Sequence, residues 1–327
     1  MANGAGEARA TAPGKVILCG EHAVVYGQPA IALPVEAVVA TASVVAIEDG
    51  RIVLDMPDIG EHDSSPADDD HPFARLARAT LAAIGVTGFT GLRITLTSTI
   101  PVASGMGSGA ALGAALVKAV ALHHRRALEP PEVSALVYES ERYYHGTPSG
   151  IDNTVVSFAQ PIWYQRMSPG RPALIEPITA LGHWTLLLGD TGVRSPTRST
   201  VGALRERWTA DPARYDTIFK AIGEIVRAAR RAMERGDEVT MGALLNQNHA
   251  LLGELGVSSP ELDRLAAAAT GAGADGAKLS GGGGGGIMLA LVTSQNVGAV
   301  ETALKAAGAV RVIETTLHQS GKGGVLV

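Results

Sequence analysis

Cysteine is almost missing from this chain: Cys19 is the single one among 327 residues. That excludes an intrachain disulfide and a cysteine-built zinc site. No HExxH pattern occurs, the nine histidines are scattered, and the adjacent His123 and His124 cannot share one helical face. Positive charge is not in excess either; the net charge of −5 and the pI near 6.0 argue against a general nucleic-acid surface. The basic residues that do cluster, Arg227, Arg230, Arg231 and Arg235, recur at helical spacing beside Glu224 and Glu234 and read as a solvated helix face. Nowhere is there an uninterrupted apolar run of the roughly 18 residues that a membrane helix needs. The opening stretch "MANGAGEARATAPG" has no apolar core and does not read as a signal peptide. A soluble, cytoplasmic-type protein without a visible metal cage, and without nucleic-acid or membrane partners, is expected.

What the chain has in quantity is glycine, 40 residues of it, and 46% hydrophobic residues, enough for sizeable cores. "KVILCGEHAVVYGQPAIALPV" reads as two strands around a Gly-Glu-His break, and "AVVATASVVAIEDGRIVLDM" as a hairpin turning at Asp49-Gly50. The acidic stretch at 57–70 reads as an exposed loop. "PFARLARATLAAIG" predicts a helix closed by Gly85, and "GLRITLTSTIPV" a strand. Two helices follow, the second opened near Pro131, and then the strand "HWTLLLGDTGV". The second half is mostly helical until the closing strands "IMLALV" and "AVRVIETTL". Mixed elements without a steady βαβ alternation or a repeat predict an α+β protein of two lobes, with domains at 1–180 and 181–327.

Two glycine-rich stretches stand out. "KLSGGGGGGIMLAL" carries six consecutive glycines, either a flexible linker or a backbone that approaches something closely; the buried-looking strand directly after Gly286 favours the second. In "PVASGMGSGAALGAALVKAV" a strand delivers the chain into Gly105, Met106, Gly107, Ser108 and Gly109, and a helix begins at once. Unpaired N–H groups, the positive end of the helix dipole and the lack of Cβ atoms together make a phosphate cradle. A tight packing turn is the competing reading. No GxxxxGK[ST] sequence occurs, and the partial dinucleotide fingerprint lacks the strand and ribose-binding acid it requires.

"ESERYYHGTPSGIDN" puts Glu139 and Glu141 on a helix and aims Asp152 from a turn that Asn153 supports. Phosphoryl transfer needs a carboxylate for the attacking hydroxyl, one for Mg²⁺ and a fixed cation. Asp152, Glu141 and Lys15 fit those three needs, although each taken singly is more often a surface charge.

"PGKVILCGEHAVVYGQPAIALP", "PVASGMGSGAALGAA" and "GAKLSGGGGGGI" resemble the three ordered motifs of the GHMP kinases. With "HGTPSGIDN" and "DTGVRSPT" the chain is most similar to the family's mevalonate kinases, over residues 13 to about 290. The resemblance implies an N-lobe like ribosomal protein S5 domain 2, a ferredoxin-like C-lobe and an active site between them. It implies ATP and Mg²⁺ as cofactors and mevalonate as acceptor, and leaves a homodimer open. Pro101, Ala103, Ser104, Gly105, Met106, Gly107, Ser108, Gly109 and Ala110 would wrap the ATP phosphates. Asp152 and Lys15 would be catalytic, Glu141 a metal ligand with Ser108 as fallback, and Glu21, His22 and Thr197 would bind the acceptor. Gly281, Gly282, Gly283 and Gly284 would form the third-motif loop against the phosphate loop. The family's usual second serine is Gly109 here, so that hydroxyl is missing. Arg194 and Arg198 keep a phosphomevalonate acceptor in view, and a homoserine kinase or a non-catalytic, metabolite-binding relative stays open as well.

Overall fold

In the computed structural model the described residues are 6–317, except 49, 60, 65–70, 89–90, 102–103, 146–148, 168–170 and 196. Two compact units interleave along the chain, one made of residues 1–15, 38–102 and 107–159 and the other of 16–37, 103–106 and 160–327. This division by compactness differs from a single cut near residue 180.

The first unit is a sheet with helices on it. Strand β1 (Ala8–Cys19) leads through a short 3-10 turn into β2 (Pro29–Ala46), followed by β3 (Ile52–Met56), β4 (Glu61–Ser64) and, after helix α1 (Pro72–Ala83), β5 (Leu92–Ser98). The expected hairpin at 49–50 is not formed. β3 runs parallel to β5, Ile52 opposite Leu92, and β5 runs antiparallel to β2, Ala46 opposite Leu92. Thus β5 lies where β3 was expected, and Asp49 itself is outside the described residues. The reason is amphipathicity: α1 buries Ala74, Leu76, Ala77 and Leu81, which lets it serve as the crossover that a parallel pair requires. The acidic stretch is not all loop either, since its residues 61–64 pair as an edge strand with β3.

Helices α2 (Ser108–His123), α3 (Pro130–His145) and α4 (Ile151–Phe158) complete this unit. α2 is buried over most of its circumference by small residues, Ala110, Ala111, Ala114, Ala115 and Ala119 among them. Short side chains let α1, α3 and α4 pack directly on it.

In the second unit the start of β2 pairs with β6 (Ile162–Gln165), which pairs with β7 (Leu174–Pro177). A separate antiparallel sheet has the order β11 (Arg311–Leu317), β8 (Trp184–Asp190), β10 (Ile287–Val292), β9 (Gly276–Ser280). β10 is buried at every position, as its unbroken apolar sequence requires of a central strand. Helices α5 (Thr197–Ala210), α6 (Pro212–Arg235), α7 (Glu238–Glu254), α8 (Pro260–Gly271) and α9 (Val297–Ala306) make up the rest. Asp211, Asp237 and Ser259 cap α6, α7 and α8 through their side-chain oxygens. Of the arginine cluster on α6, Arg230 bonds both Glu234 and Glu176 and lies over the Trp163 ring. No helix among the described residues is long and apolar enough to cross a membrane.

Candidate active site

The geometry of the candidate phosphate loop comes from one glycine. Gly107 caps α2 at φ 73°, in the left-handed region, and offers no side-chain oxygen to the first-turn N–H groups. Those donors and the helix dipole are left for an anion. A side chain at Gly107 would collide: a Cβ there would lie 2.9 Å from Lys15 Cγ and 3.2 Å from its Cε. Gly109 differs, since a Cβ there meets nothing within 4 Å. Gly105 is left-handed at φ 82°, Met106 and Ala110 are buried, and Ser108 opens the helix half-buried. Pro101 and Ser104 belong to described backbone, whereas Ala103 lies outside the described residues.

Beside this helix end, in the same unit, Lys15 Nζ sits 3.0 Å from Asp152 Oδ1. The lysine is buried and the carboxylate about one-third exposed, so the pair has one face open to a ligand. Asp152 stands in the first turn of α4, not on a turn before it, and Gly150 at φ 89° starts that helix. The positive end of that helix's dipole therefore lies at the carboxylate. Asn153 also differs from expectation. It ties α4 to α3, donating from Nδ2 to the Ser134 carbonyl at 3.1 Å and to Ser134 Oγ at 2.8 Å, so it fixes where Asp152 stands relative to α3.

Glu141 on α3 completes the group. Burial first, and then the Asp152 charge, push its carboxyl up to about 8, with Lys15 opposing. A desolvated carboxylate crowded by a second one is an environment that a cation relieves. Among the described residues there is no cluster of three or more metal-ligating side chains. Mg²⁺ bound with nucleotide needs only one or two protein carboxylates, because phosphate oxygens and waters fill its shell. The donors at hand, Glu141 with Asp152 near it and Ser108 at the helix start, fit that requirement.

The Gly-Glu-His break belongs to the second unit. Gly20 has φ 102° with Ala30 Cα 2.6 Å from where a Cβ would be, and His22 is held at φ 59°. Glu21 does not present a free carboxylate. Lys278 Nζ donates to its Oε1, and Asn248 Nδ2 donates to its Oε2 at 3.3 Å. His22 Nε2 lies 3.1 Å from the Gly282 carbonyl, so that nitrogen carries the proton. Burial holds the imidazole at about 4, well below its ordinary value, and Arg207 and Lys278 add to this while the Gly282 bond opposes it.

The six glycines are a close-approach segment. Gly281, Gly283, Gly284, Gly285 and Gly286 all have positive φ. A Cβ at Gly283 would lie 1.9 Å from the Val257 carbonyl oxygen, and at Gly286 2.8 Å from that of Ser104. At Gly284 it would lie 2.8 Å from Ser195 Oγ. Ser280, just before the run, bonds both the N–H and the carbonyl of Ile17 through one hydroxyl. The run thus packs against the start of the candidate phosphate loop, the segment after β8 and the end of β1. Arg194 is engaged in a two-pronged ion pair with buried Asp190, at 2.8 and 3.0 Å. Thr197 opens α5, but its side chain and that of Arg198 lie outside the described residues.

Sequence reading misses Lys278, Asn248 and Ser280. A lysine inside the buried strand "AKLS" is the one available signal, and its partner is 257 positions away.

Profiles of known families match the chain twice: "GHMP kinases N terminal domain" over residues 72–160 and "GHMP kinases C terminal" over 229–310. The chain is 34% identical to the mevalonate kinase of Thermococcus sibiricus, over 95% of this chain and 96% of that protein. Among solved structures it resembles L. major mevalonate kinase in complex with R-mevalonate, with a TM-score of 0.83 and 28% identity over 96% of each chain. Streptococcus pneumoniae phosphomevalonate kinase has the same fold, with a TM-score of 0.79 at 17% identity over 94% of this chain and 99% of that one.

Proposed function

The chain belongs to the GHMP kinase family, and from that premise we propose that it is a mevalonate kinase, transferring the γ-phosphoryl group of ATP to the primary hydroxyl of (R)-mevalonate. The products are 5-phosphomevalonate and ADP, in isoprenoid synthesis. The observation that carries the reading is the Lys15–Asp152 ion pair packed against Gly107 at the start of α2. It puts a carboxylate and a cation beside a phosphate-binding helix end, the combination phosphoryl transfer requires.

In this mechanism the hydroxyl oxygen attacks the γ-phosphorus, the bond to the ADP oxygen breaks, and the hydroxyl proton passes to Asp152. Lys15 holds the Asp152 carboxylate in place and favours ionisation of the attacking oxygen by its charge. The first-turn N–H groups of α2, with residues 101–107 leading into it, bind the phosphates. Mg²⁺, when bound with ATP, neutralises phosphate charge; Glu141 would hold it, with Ser108 as the fallback and a water in place of the hydroxyl that Gly109 lacks. His22 and Thr197 are assigned to the acceptor, and Glu21 to the turn that carries His22. The family domains are assigned to 1–180 and 181–327, and the location to the cytoplasm.

The capture of Arg194 by Asp190 favours mevalonate over phosphomevalonate, because a guanidinium already matched by a buried carboxylate has less charge to offer a second phosphate. The test is ADP release from the purified protein with ATP and Mg²⁺. Mevalonate should support turnover, and homoserine, galactose and phosphomevalonate should not. Asp152→Asn should lower kcat by about 10²–10⁴-fold with nucleotide binding kept. Wild-type turnover in that variant would overturn the assignment.

A further inference from the structure

Lys278, fully buried in an ion pair with Glu21, has no part in the roles assigned above. Neither side chain reaches solvent. Lys278 comes from β9, immediately before the glycine run, and Glu21 from the turn after β1. Each partner has a second bond: Lys278 to the Leu279 carbonyl, and Glu21 to Asn248 on α7. Two opposite charges taken wholly out of water are a poor way to gain stability, since apolar side chains of the same volume serve as well or better. What such a pair does supply is direction, and here it acts on a turn that needs it. The two residues flanking Glu21 both have positive φ, Gly20 by its own freedom and His22 against its preference. His22 is also fixed at its ring, by the carbonyl of Gly282.

We propose that Lys278 is a positioning residue for the acceptor: through Glu21 and Asn248 it locks the 20–22 turn in the conformation that presents His22. Glu21 is then the link in this lock and not itself a ligand of the acceptor, because both of its carboxylate oxygens are already bonded. The inference rests on the mevalonate kinase reading and deepens it. It accounts for a lysine in a fully buried strand and for the strained His22 backbone with one device. The start of α2 at Gly107 and the Lys15–Asp152 pair belong to the other unit.

The experiment compares the unaltered chain with Lys278→Met, Glu21→Gln and the double variant, measuring KM for mevalonate, KM for ATP, kcat and the melting temperature. Lys278→Met removes the charge at nearly constant volume; KM for mevalonate should rise about tenfold or more while KM for ATP stays within about twofold. Glu21→Gln keeps the shape of the turn, is the variant to read if Lys278→Met does not fold, and should raise the mevalonate KM about threefold. In the double variant the melting temperature should return towards that of the unaltered chain, since no charge is left unpaired, while the mevalonate KM stays high. A purely structural role would give the opposite: melting temperatures that fall with both KM values unchanged. That outcome, or equal rises in both KM values, would overturn the inference alone. No turnover of mevalonate by the unaltered chain would overturn the functional reading, and the inference with it.

Discussion

Alanine at Gly107 tests the candidate site with a single methyl group. The backbone there is at φ 73°, where an L-residue with a Cβ is disfavoured by about 1–2 kcal/mol. The new methyl would also lie 2.9 Å from Lys15 Cγ, closer than real Cβ contacts come, and 3.7 Å from Asp152 Oδ2. Lys15 is buried and cannot step aside into solvent, so it must retreat by a few tenths of an ångström and draw its ion pair with it. Misplacing a reacting group by about 1 Å costs on the order of 10²-fold in rate. Gly107→Ala is therefore expected to lower kcat by roughly 10–10²-fold and to lower stability by no more than about 2 kcal/mol. Steady-state kinetics at saturating ATP and mevalonate, beside a thermal melt, measure both. Gly109→Ala is the control: its φ is not positive and its methyl meets nothing within 4 Å. It should keep kcat within several-fold and gain up to about 1 kcal/mol of helix propensity. Unchanged kcat in Gly107→Ala would refute the reasoning. A Gly109→Ala loss as large as that of Gly107→Ala would refute it too, by making the loss a matter of the loop backbone and not of Lys15 and Asp152.

Glu141→Gln should weaken the apparent Mg²⁺ dependence of turnover clearly, whereas Gly109→Ser, which has room for its side chain, should strengthen it with kcat within several-fold; an unchanged Mg²⁺ titration in Glu141→Gln would put the metal elsewhere. Gly283→Val should destabilise the chain well beyond the ~1 kcal/mol of an ordinary substitution, because its Cβ would overlap the Val257 carbonyl; a melt like that of the unaltered chain would restore the linker reading. Acid should destabilise the fold through His22, whose folded value of about 4 lies below its ordinary 6.5. The unfolded chain then binds the extra proton, so this stability is fully present above pH 6.5 and is lost as pH falls towards 4. Linkage gives about 2 kcal/mol lost between pH 7 and 5. Urea unfolding at the two pH values, with His22→Asn flattening the difference, checks it; an equal slope in that variant would count against the buried neutral imidazole.

The sequence alone determined what depends on local sterics and periodicity. Glycines at 105, 107, 281 and 283–286 announced backbone in the positive-φ region that side chains disfavour, and the Ala-rich run after Ser108 announced a helix starting there. The order of three motifs carried the family, and with it Lys15, Asp152 and Glu141, which the structure gathers in one unit. Pairings at long range were decided only by tertiary structure. Turn chemistry at Asp49-Gly50 favours a hairpin, but β5 takes that position because α1 can bury its apolar face as a crossover. Asn153 has the chemistry of a turn residue, yet its Nδ2 is drawn to Ser134 because a buried N–H donor must find acceptors wherever the fold puts them. Glu21 reads as a ligand and Lys278 attracts no role in the sequence, since burial is a property of the whole fold. Once both are out of water, each charge requires the other, and 257 positions of sequence separation carry no sign of it.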